Sequence, residues 1–291
     1  MKIAILGGGG REHAIAFAIS KSDKIDKIFC IPGNAGTSEI AINISIDIND
    51  FDSLYEFLNK NNITYVIVGP EQPLVDGIVD YLEKFGINVF GPNKISSQLE
   101  GSKIFTKNLC KKYNIPTAAF DVYRNTTDAK KNLENTKYPL VIKADNLASG
   151  KGVYICKNKE ESFLAVEEIF GGKFGIAKKV LIEEFLQGEE MSYFVISDGI
   201  TIKNFGTAQD HKRVYEGDKG KNTGGMGAYS PSRLINNELE KKILEKIINP
   251  TLKGISELRT RYKGFLYAGL MIVNNEPYLI EYNVRMGDPE C

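Results

Sequence analysis

Over the first hundred residues, short apolar runs alternate with segments of helical period. KIAIL (2–6) leads into GGGG and a helix from about Arg11 to Ser20, and KIFCI (27–31) leads into the loop PGNAGT. A helix near Phe51–Asn59 precedes TYVIVG (64–69), the loop PEQPL and a helix near Val75–Phe85; INVFGP (87–92) closes the series. Continuous apolar strands separated by helices predict a parallel, doubly wound α/β sheet. In such a sheet ligands sit beyond the carboxyl ends of the strands, where these Gly- and Pro-rich loops fall.

The pattern changes after about residue 101. SKIFTKNLCKKY (102–113) reads as a helix, AAFDVY (118–123), PLVIKA (139–144), GVYIC (152–156) and KVLIEEFL (179–186) as strands, with a helix near Lys159–Ile169. EMSYFVIS (190–197) and TIKNFG (201–206) follow, then a Gly-rich loop (210–228) and a helix near Asn237–Leu258. The last element is a hairpin, YAGLMIVNNEPYLIEYNV, turning at Asn274–Asn275. Strands close in sequence predict an antiparallel sheet with flanking helices, an α+β arrangement. At 291 residues two domains are expected, divided at 101/102, with a small lobe at about 120–187 inside the second.

Charge narrows the partners. Lys+Arg and Asp+Glu are both 37, so no global field draws the chain to nucleic acid or to an anionic membrane. The four cysteines form no C-x-x-C pair, which argues against zinc and disulfides and fits a reducing cytosol. The start, MKIAILGGGG, is too short in its apolar part for a signal peptide, and no apolar run is long enough to span a bilayer. Only 7 of the basic residues are Arg, and three of these (Arg11, Arg213, Arg285) lie beside Gly-rich segments, two of them next to His13 and His211. Lysine cannot replace the two-pronged guanidinium at an oxyanion.

Candidate chemistry is concentrated in a few segments. In LIEYNVRMGDPE, Glu281, Asn283 and Arg285 fall at alternate positions, so as a strand they share one face, opposite Ile280, Tyr282 and Val284. A carboxylate, an amide oxygen and a guanidinium together suit a divalent cation and an anion; an exposed polar sheet face is the plainer alternative. GGGGREH allows close backbone approach before a helix N-terminus that favours anions. It lacks the acidic residue at the end of strand 2 that a dinucleotide ribose needs. Asn34 to Thr37 offer backbone N–H groups and a hydroxyl beside it, an anion nest or an ordinary loop. Glu71, between two prolines, can bind sugar hydroxyls or cap the next helix. VIKADNLASGKGV carries Lys143 and Lys151 around a small-residue hairpin able to close over a triphosphate. LIEEFLQGEE turns at a short hinge whose backbone can read a base edge, with Glu190 available for ribose. QDHKRVYEGDKGKNTGGMGAYSP holds five glycines between 217 and 227 and suits a lid.

Taken together, GGGGREHA, PGNAGT, VGPEQPLVDGIVD, FGP, LEGSKIFTK, VIKADNLASGKGV, IEEFLQGEEMS, QDHKRVYEGDKGKNTGGMGAYSP, GFLYAGLM and IEYNVRMGDPE resemble, in order, the glycinamide ribonucleotide synthetases, ATP-grasp ligases of purine synthesis. The resemblance implies a Rossmann-like N-terminal domain followed by a two-lobed ATP-grasp domain. It also implies ATP with Mg²⁺ (or Mn²⁺), and glycine and 5-phosphoribosylamine as substrates; the oligomeric state stays open, with a monomer compatible. By the same resemblance Lys103 and Lys143 neutralise ATP phosphates, and Ala148, Ser149, Gly150 and Gly152 belong to the phosphate cover. Glu183 and Leu186 belong to the adenine-reading hinge, Glu190 takes the ribose, and Glu281 and Asn283 take the metal. Gly8, Gly9, Gly10, Asn34, Ala35, Gly36, Thr37 and Glu71 face phosphoribosylamine, joined by Asp210 and Lys212. Arg285 and Asp288 hold glycine or its acyl phosphate, with Lys143, Arg285 and Asp288 as the catalytic set. The chain departs from the family at Asn146, where glycine is usual. The family pattern also continues past Asp288, so a further part of the ATP-grasp core and a C-terminal domain are expected beyond this sequence, and with their absence weak turnover. Another ATP-grasp carboxylate–amine ligase, or a nucleotide-binding module without activity, are the alternative readings.

Overall fold

The computed structural model describes the chain except residues 148–151, 176, 212, 218, 224, 289 and 291, and the side chains of 213 and 219–222. The first part is a five-stranded parallel sheet of β1 (Lys2–Gly7), β2 (Lys27–Pro32), β3 (Ile42–Asn43), β4 (Tyr65–Val68) and β5 (Asn88–Phe90). Its strand order is β3-β2-β1-β4-β5. The order reverses between β1 and β4, the place where a doubly wound sheet opens a crevice beyond its strand ends. Helices α1 (Gly10–Ser20), α2 (Phe51–Lys60), α3 (Glu71–Asp76) and α4 (Ile78–Glu83) connect the strands. The helix expected over Val75–Phe85 starts earlier, at Glu71, and breaks at Gly77. Gly77 stands at φ +101°, a left-handed conformation that ends one helix and starts the next at low cost only in glycine.

Two short elements, α5 (Gln98–Gly101) and α6 (Lys103–Tyr113), lead into a four-stranded antiparallel sheet, β6-β9-β7-β8. Its strands are β6 (Phe120–Tyr123), β7 (Leu140–Ala144), β8 (Val153–Cys156) and β9 (Val180–Glu184), with α7 (Thr126–Leu133) and α8 (Lys159–Phe170) alongside. A second antiparallel sheet contains β10 (Glu189–Asp198), β11 (Ile202–Asp210), β14 (Ala228–Tyr229), β15 (Lys263–Val273) and β16 (Glu276–Asn283), in the order β14-β11-β10-β15-β16. β11 runs past the expected end at 206, so Asp210 closes a strand. The Gly-rich segment also forms a small ribbon of β12 (Arg213–Tyr215) and β13 (Lys219–Asn222).

The helix expected over Asn237–Leu258 is α9 (Asn237–Ile243) and α10 (Asn249–Glu257), joined by a π turn over Leu244–Ile248. Pro250 has no N–H for the carbonyl four residues back, and a wider turn absorbs the missing bond. The final hairpin turns at Asn274 and Asn275, both at positive φ (50° and 62°), as a two-residue turn matched to strand twist requires.

One apolar cluster runs through the molecule, from Leu6 and Val68 of the parallel sheet to Tyr193, Leu266 and Tyr282 of the second antiparallel sheet, with Ile247 and Ile255 of the α9–α10 region. The β6–β9 sheet and its helices have a separate cluster around Ile142, Ile169 and Ile182. Among the described residues no helix is long and apolar enough to cross a membrane.

Candidate active site

A cavity of about 340 Å³ opens where the two antiparallel sheets and the parallel sheet meet. Its basic wall comes from α6 and β7. Ser102 caps α6, accepting from Phe105 N–H at 3.1 Å, and with Ile104 N–H it also donates to Asp145 Oδ1. Asp145 therefore ties the β7–β8 hairpin to the start of α6, and Lys103 Nζ donates to Asn146 O at 3.0 Å on that hairpin. One helical turn on, Lys107 faces the same way. Its Nζ donates to Thr117 Oγ1 at 2.6 Å and lies 3.2 Å from Glu183 Oε2. Lys143 reaches the same oxygen at 3.0 Å. Burial lowers the pKa of Lys103 and Lys107, with Glu183 working the other way at Lys107. Glu183 Oε1, enclosed, has no hydrogen-bond partner among the described residues.

The acidic wall comes from β16. Glu281 and Asn283 both line the cavity, but so do Ile280 and the buried Tyr282, which alternation assigns to the opposite face, and Ile280 is half-buried there. The register explains Ile280: Gly269 pairs with Glu281 while Leu270 pairs with Leu279, so Ile280 is the extra residue of a β-bulge. The strand ends at Asn283, and Arg285 lies beyond it rather than on its face. Its guanidinium still reaches the cavity: Nη2 donates to Glu100 Oε1 at 2.9 Å, Nη1 donates to Met286 O, and Nε lies 3.3 Å from Glu71 Oε2. Burial opposes the Arg285 charge, and the carboxylates of Glu100 and Glu71 outweigh it, so its pKa is raised. Burial pushes the Glu100 carboxyl up to about 7, with Arg285 drawing it down and Glu71 raising it.

The glycine loop meets this cavity through Asp288, which lines it. A Cβ on Gly9 would sit 3.1 Å from Asp288 Oδ2, and one on Gly10 3.6 Å from its Oδ1. Behind the loop, Glu12 is buried and accepts from Gly9 N–H and Arg11 Nε–H, both at 2.6 Å. It fills the switch point so closely that a Cβ on Gly7 or Gly69 would overlap it. The neighbouring loop is tied to the first: Asn34 Nδ2 donates to Gly8 O and Gly9 O, and Thr37 Oγ1 donates to Asn43 Oδ1. Ala35 is exposed, and Gly36 lies against His13, where any side chain would collide.

The residues singled out from the sequence thus fall into three groups. Lys103, Lys143, Glu183, Glu190, Glu71, Asp210, Glu281, Asn283, Arg285 and Asp288 share one cavity. Gly8 to Gly10 and Asn34 to Thr37 form an adjoining shelf. Leu186 is half-buried in the segment between β9 and β10, and Gly188 packs so tightly on Ile272 O that only glycine fits. Gly152 is buried, its carbonyl accepting from Ala144 N–H; Ala148, Ser149, Gly150 and Lys212 lie outside the described residues. Glu183, expected at the hinge, stands on β9 with its carboxylate turned to the two lysines. Glu100 and Lys107 were not among the expected residues. Both lie in LEGSKIFTK, and the i, i+4 spacing of Lys103 and Lys107 was the available signal for the second.

Sequence comparison accounts for the whole chain. Residues 1–100 match the phosphoribosylglycinamide synthetase N domain, and residues 101–291 its ATP-grasp (A) domain. The chain is 49% identical over 292 residues to phosphoribosylamine–glycine ligase of Mesorhizobium japonicum, covering 100% of this chain and 69% of that protein. It is 46% identical over 295 residues to the Clostridium acetobutylicum ligase, covering 100% and 70%. The crystal structure of the Thermotoga maritima ligase superposes with a TM-score of 0.84 at 37% identity, over 99% of this chain and 70% of that one. With its parallel sheet, two antiparallel sheets and the cavity between them, the chain belongs to the phosphoribosylglycinamide synthetase family.

Proposed function

We propose that the chain joins glycine to 5-phosphoribosylamine at the expense of ATP, giving glycinamide ribonucleotide, ADP and phosphate through glycyl phosphate, in purine biosynthesis. The observation that carries this reading is the convergence of Lys103, Lys143, Glu281, Asn283 and Arg285 on one cavity that adjoins the switch-point loops. Carboxylate oxygen is a poor leaving group. Phosphorylation by ATP makes it a good one, and the amine of phosphoribosylamine then attacks the acyl carbon and expels phosphate. Both steps move negative charge onto phosphoryl oxygens, which fixed cations in a dry site stabilise.

In this reading Lys103 and Lys143 take ATP phosphates, the hinge at Leu186 takes adenine, and Glu190 takes ribose. Arg285 and Asp288 hold glycine or its acyl phosphate. Gly8 to Gly10, Asn34 to Thr37, Glu71 and Asp210 receive phosphoribosylamine, with Lys212 and the 148–150 segment assigned from the sequence. A domain of 1–101, followed by an ATP-grasp domain of 102–291 with a small lobe at about 120–187, belongs to the same reading; the separate cluster under β6–β9 supports the lobe.

The donor set at β16 fits Mg²⁺ or Mn²⁺. Among the described residues no three His, Cys, Asp or Glu are grouped to cage a metal, but Mg²⁺ is commonly held by one or two carboxylates plus substrate phosphates. Glu281 and Asn283 would supply the protein oxygens, and the ion, when bound, would neutralise phosphoryl charge. A cytoplasmic setting is proposed as well, supported by three buried free thiols, Cys30, Cys110 and Cys156.

The test is ADP formation that requires both glycine and phosphoribosylamine, with other amino acids and amines as controls. ADP release independent of glycine would overturn the reading. Glu281→Ala is expected to abolish metal-dependent turnover while leaving the thermal melt nearly unchanged, because the Tyr282 and Val284 side of the strand stays packed. Near-normal activity at low Mg²⁺ would reject the ligand role.

A further inference from the structure

Glu100 is built into the cavity wall without a part in the reaction just described. It stands on α5, the short element between the parallel sheet and α6, and 184 residues separate it in sequence from its backbone partner. Its two carboxylate oxygens are divided between two neighbours: Oε2 accepts from Val284 N–H at 2.7 Å, and Oε1 accepts from Arg285 Nη2 at 2.9 Å. It therefore grips β16 at the point where the strand ends, holding backbone and guanidinium at once.

We infer that Glu100 is a positioning residue for the ligation, fixing Arg285 in the orientation that receives an anionic substrate group beside Glu281 and Asn283. This rests on the ligase reading above. Three observations carry it. First, Arg285 lies past the end of β16, so the sheet ladder does not orient it, and something else must. Second, Glu100 and Met286 O take both terminal nitrogens, while Nε has no hydrogen-bond acceptor among the described residues, although Glu71 Oε2 is 3.3 Å away. The hydrogen bonds that orient the guanidinium thus come from Glu100 and Met286 O, while Nε is ion-paired to Glu71 without a hydrogen bond. Third, a plain clamp on Val284 N–H needs only a neutral oxygen. A carboxylate buried to 8% exposure with a guanidinium 2.9 Å from its second oxygen is a costly clamp unless that oxygen serves the arginine.

A purely structural role predicts loss of stability in proportion to the bonds removed, and a positioning role predicts loss of rate through Arg285. The experiment is a double-mutant cycle on glycine-dependent ADP formation with Glu100→Gln, Arg285→Gln and the pair together. Glutamine keeps an oxygen for Val284 N–H and removes the charge. Glu100→Gln is expected to lower kcat with respect to glycine about 100-fold, the scale of a misplacement of about 1 Å, with the KM for ATP within about twofold by the same argument, since the phosphate lysines are untouched. Added to Arg285→Gln, it should cost no further rate. The pair carries no lone buried charge, so if Glu100→Gln alone folds poorly, the comparison of Arg285→Gln with the double variant still decides: equal rates support the inference and a further loss overturns it. A Glu100→Gln rate equal to that of the unaltered chain also overturns it while leaving the ligase reading standing. Absence of glycine-dependent ADP formation in the unaltered chain removes the ligase reading, and the inference with it.

Discussion

Lys143 and Lys107 share one oxygen of Glu183, at 3.0 and 3.2 Å, in a setting where all three side chains are almost wholly enclosed. Lys143→Met therefore removes one of two counterions, and Lys107 remains to compensate Glu183. The expected loss of stability is about 1–3 kcal/mol, below the cost of leaving a buried charge with no partner. ATP binding should weaken far more than adenosine binding, because the charge acts on phosphate. Calorimetric titration of both ligands checks this, and equal losses would point to a distorted hinge. Glu100 carries a pH signature. Its pKa rises from 4.5 to about 7 on folding, so between those values the folded chain holds a proton that the unfolded chain has lost. Stability then falls as pH rises through this window. Glu100→Gln should flatten that part of the Tm–pH curve; an unchanged slope between pH 5 and about 7 would exclude Glu100 as its source.

At the scale of elements, the switch point of the parallel sheet is shaped by one side chain and two glycines. Glu12, from the first turn of α1, lies between Gly7 at the end of β1 and Gly69 at the end of β4. It accepts from Gly9 N–H there and so sets the path of the glycine loop. Gly69→Ala would place a methyl group on the Glu12 carboxylate. The expected cost is about 1–3 kcal/mol, typical of overpacking, and it should shrink in a Glu12→Ala background, where the clash is gone. Thermal melts of the unaltered chain and the three variants check this; a cost unaffected by Glu12 would assign it to backbone strain. The bulge at Ile280 is a second device of this kind. One inserted residue puts Ile280 and Glu281 on the same side of β16 and leaves Leu279 and Tyr282 buried.

At the scale of the whole molecule, the parallel sheet and the β10–β16 sheet share an apolar cluster, whereas the β6–β9 lobe has its own. Structure that shares a core opens together, and structure that does not can open separately. Amide exchange over 123–182 is therefore expected to lose protection as a unit, at lower denaturant than β1 and β10. A single common exchange midpoint for all three regions would count against it. Polar ties across the gap among the described residues include Asp145 to the α6 N-terminus, Lys103 to Asn146 O and Lys107 to Glu183. They join the start of α6 to Asp145 of the lobe and Lys107 of α6 to Glu183 of the lobe.

Much of this was readable in order along the chain, because it rests on local physics. Apolar runs and helical periods specified β1, β2, β4 and β5 and the antiparallel strands β6–β11, β15 and β16, and Asn274–Asn275 specified its own turn, whereas the two-residue β3 and the short strands β12–β14 carry no such pattern. Ten short segments in sequence were enough for the family, and with it the residue types at the cavity. What tertiary structure alone decided lies where distant segments meet. Alternation along β16 put Ile280 opposite Glu281, but pairing with Gly269 and Leu270 introduced the bulge. Composition could not mark Glu100 as Arg285's partner, since that bond spans 185 residues. Nor could it turn Glu183 toward Lys143 and Lys107, which depends on the pairing of β7 with β9 for the first and on how α6 docks against that sheet for the second. Residue types and local elements follow from short-range sequence; charge pairing in a low-dielectric cavity follows from docking, which no local pattern records.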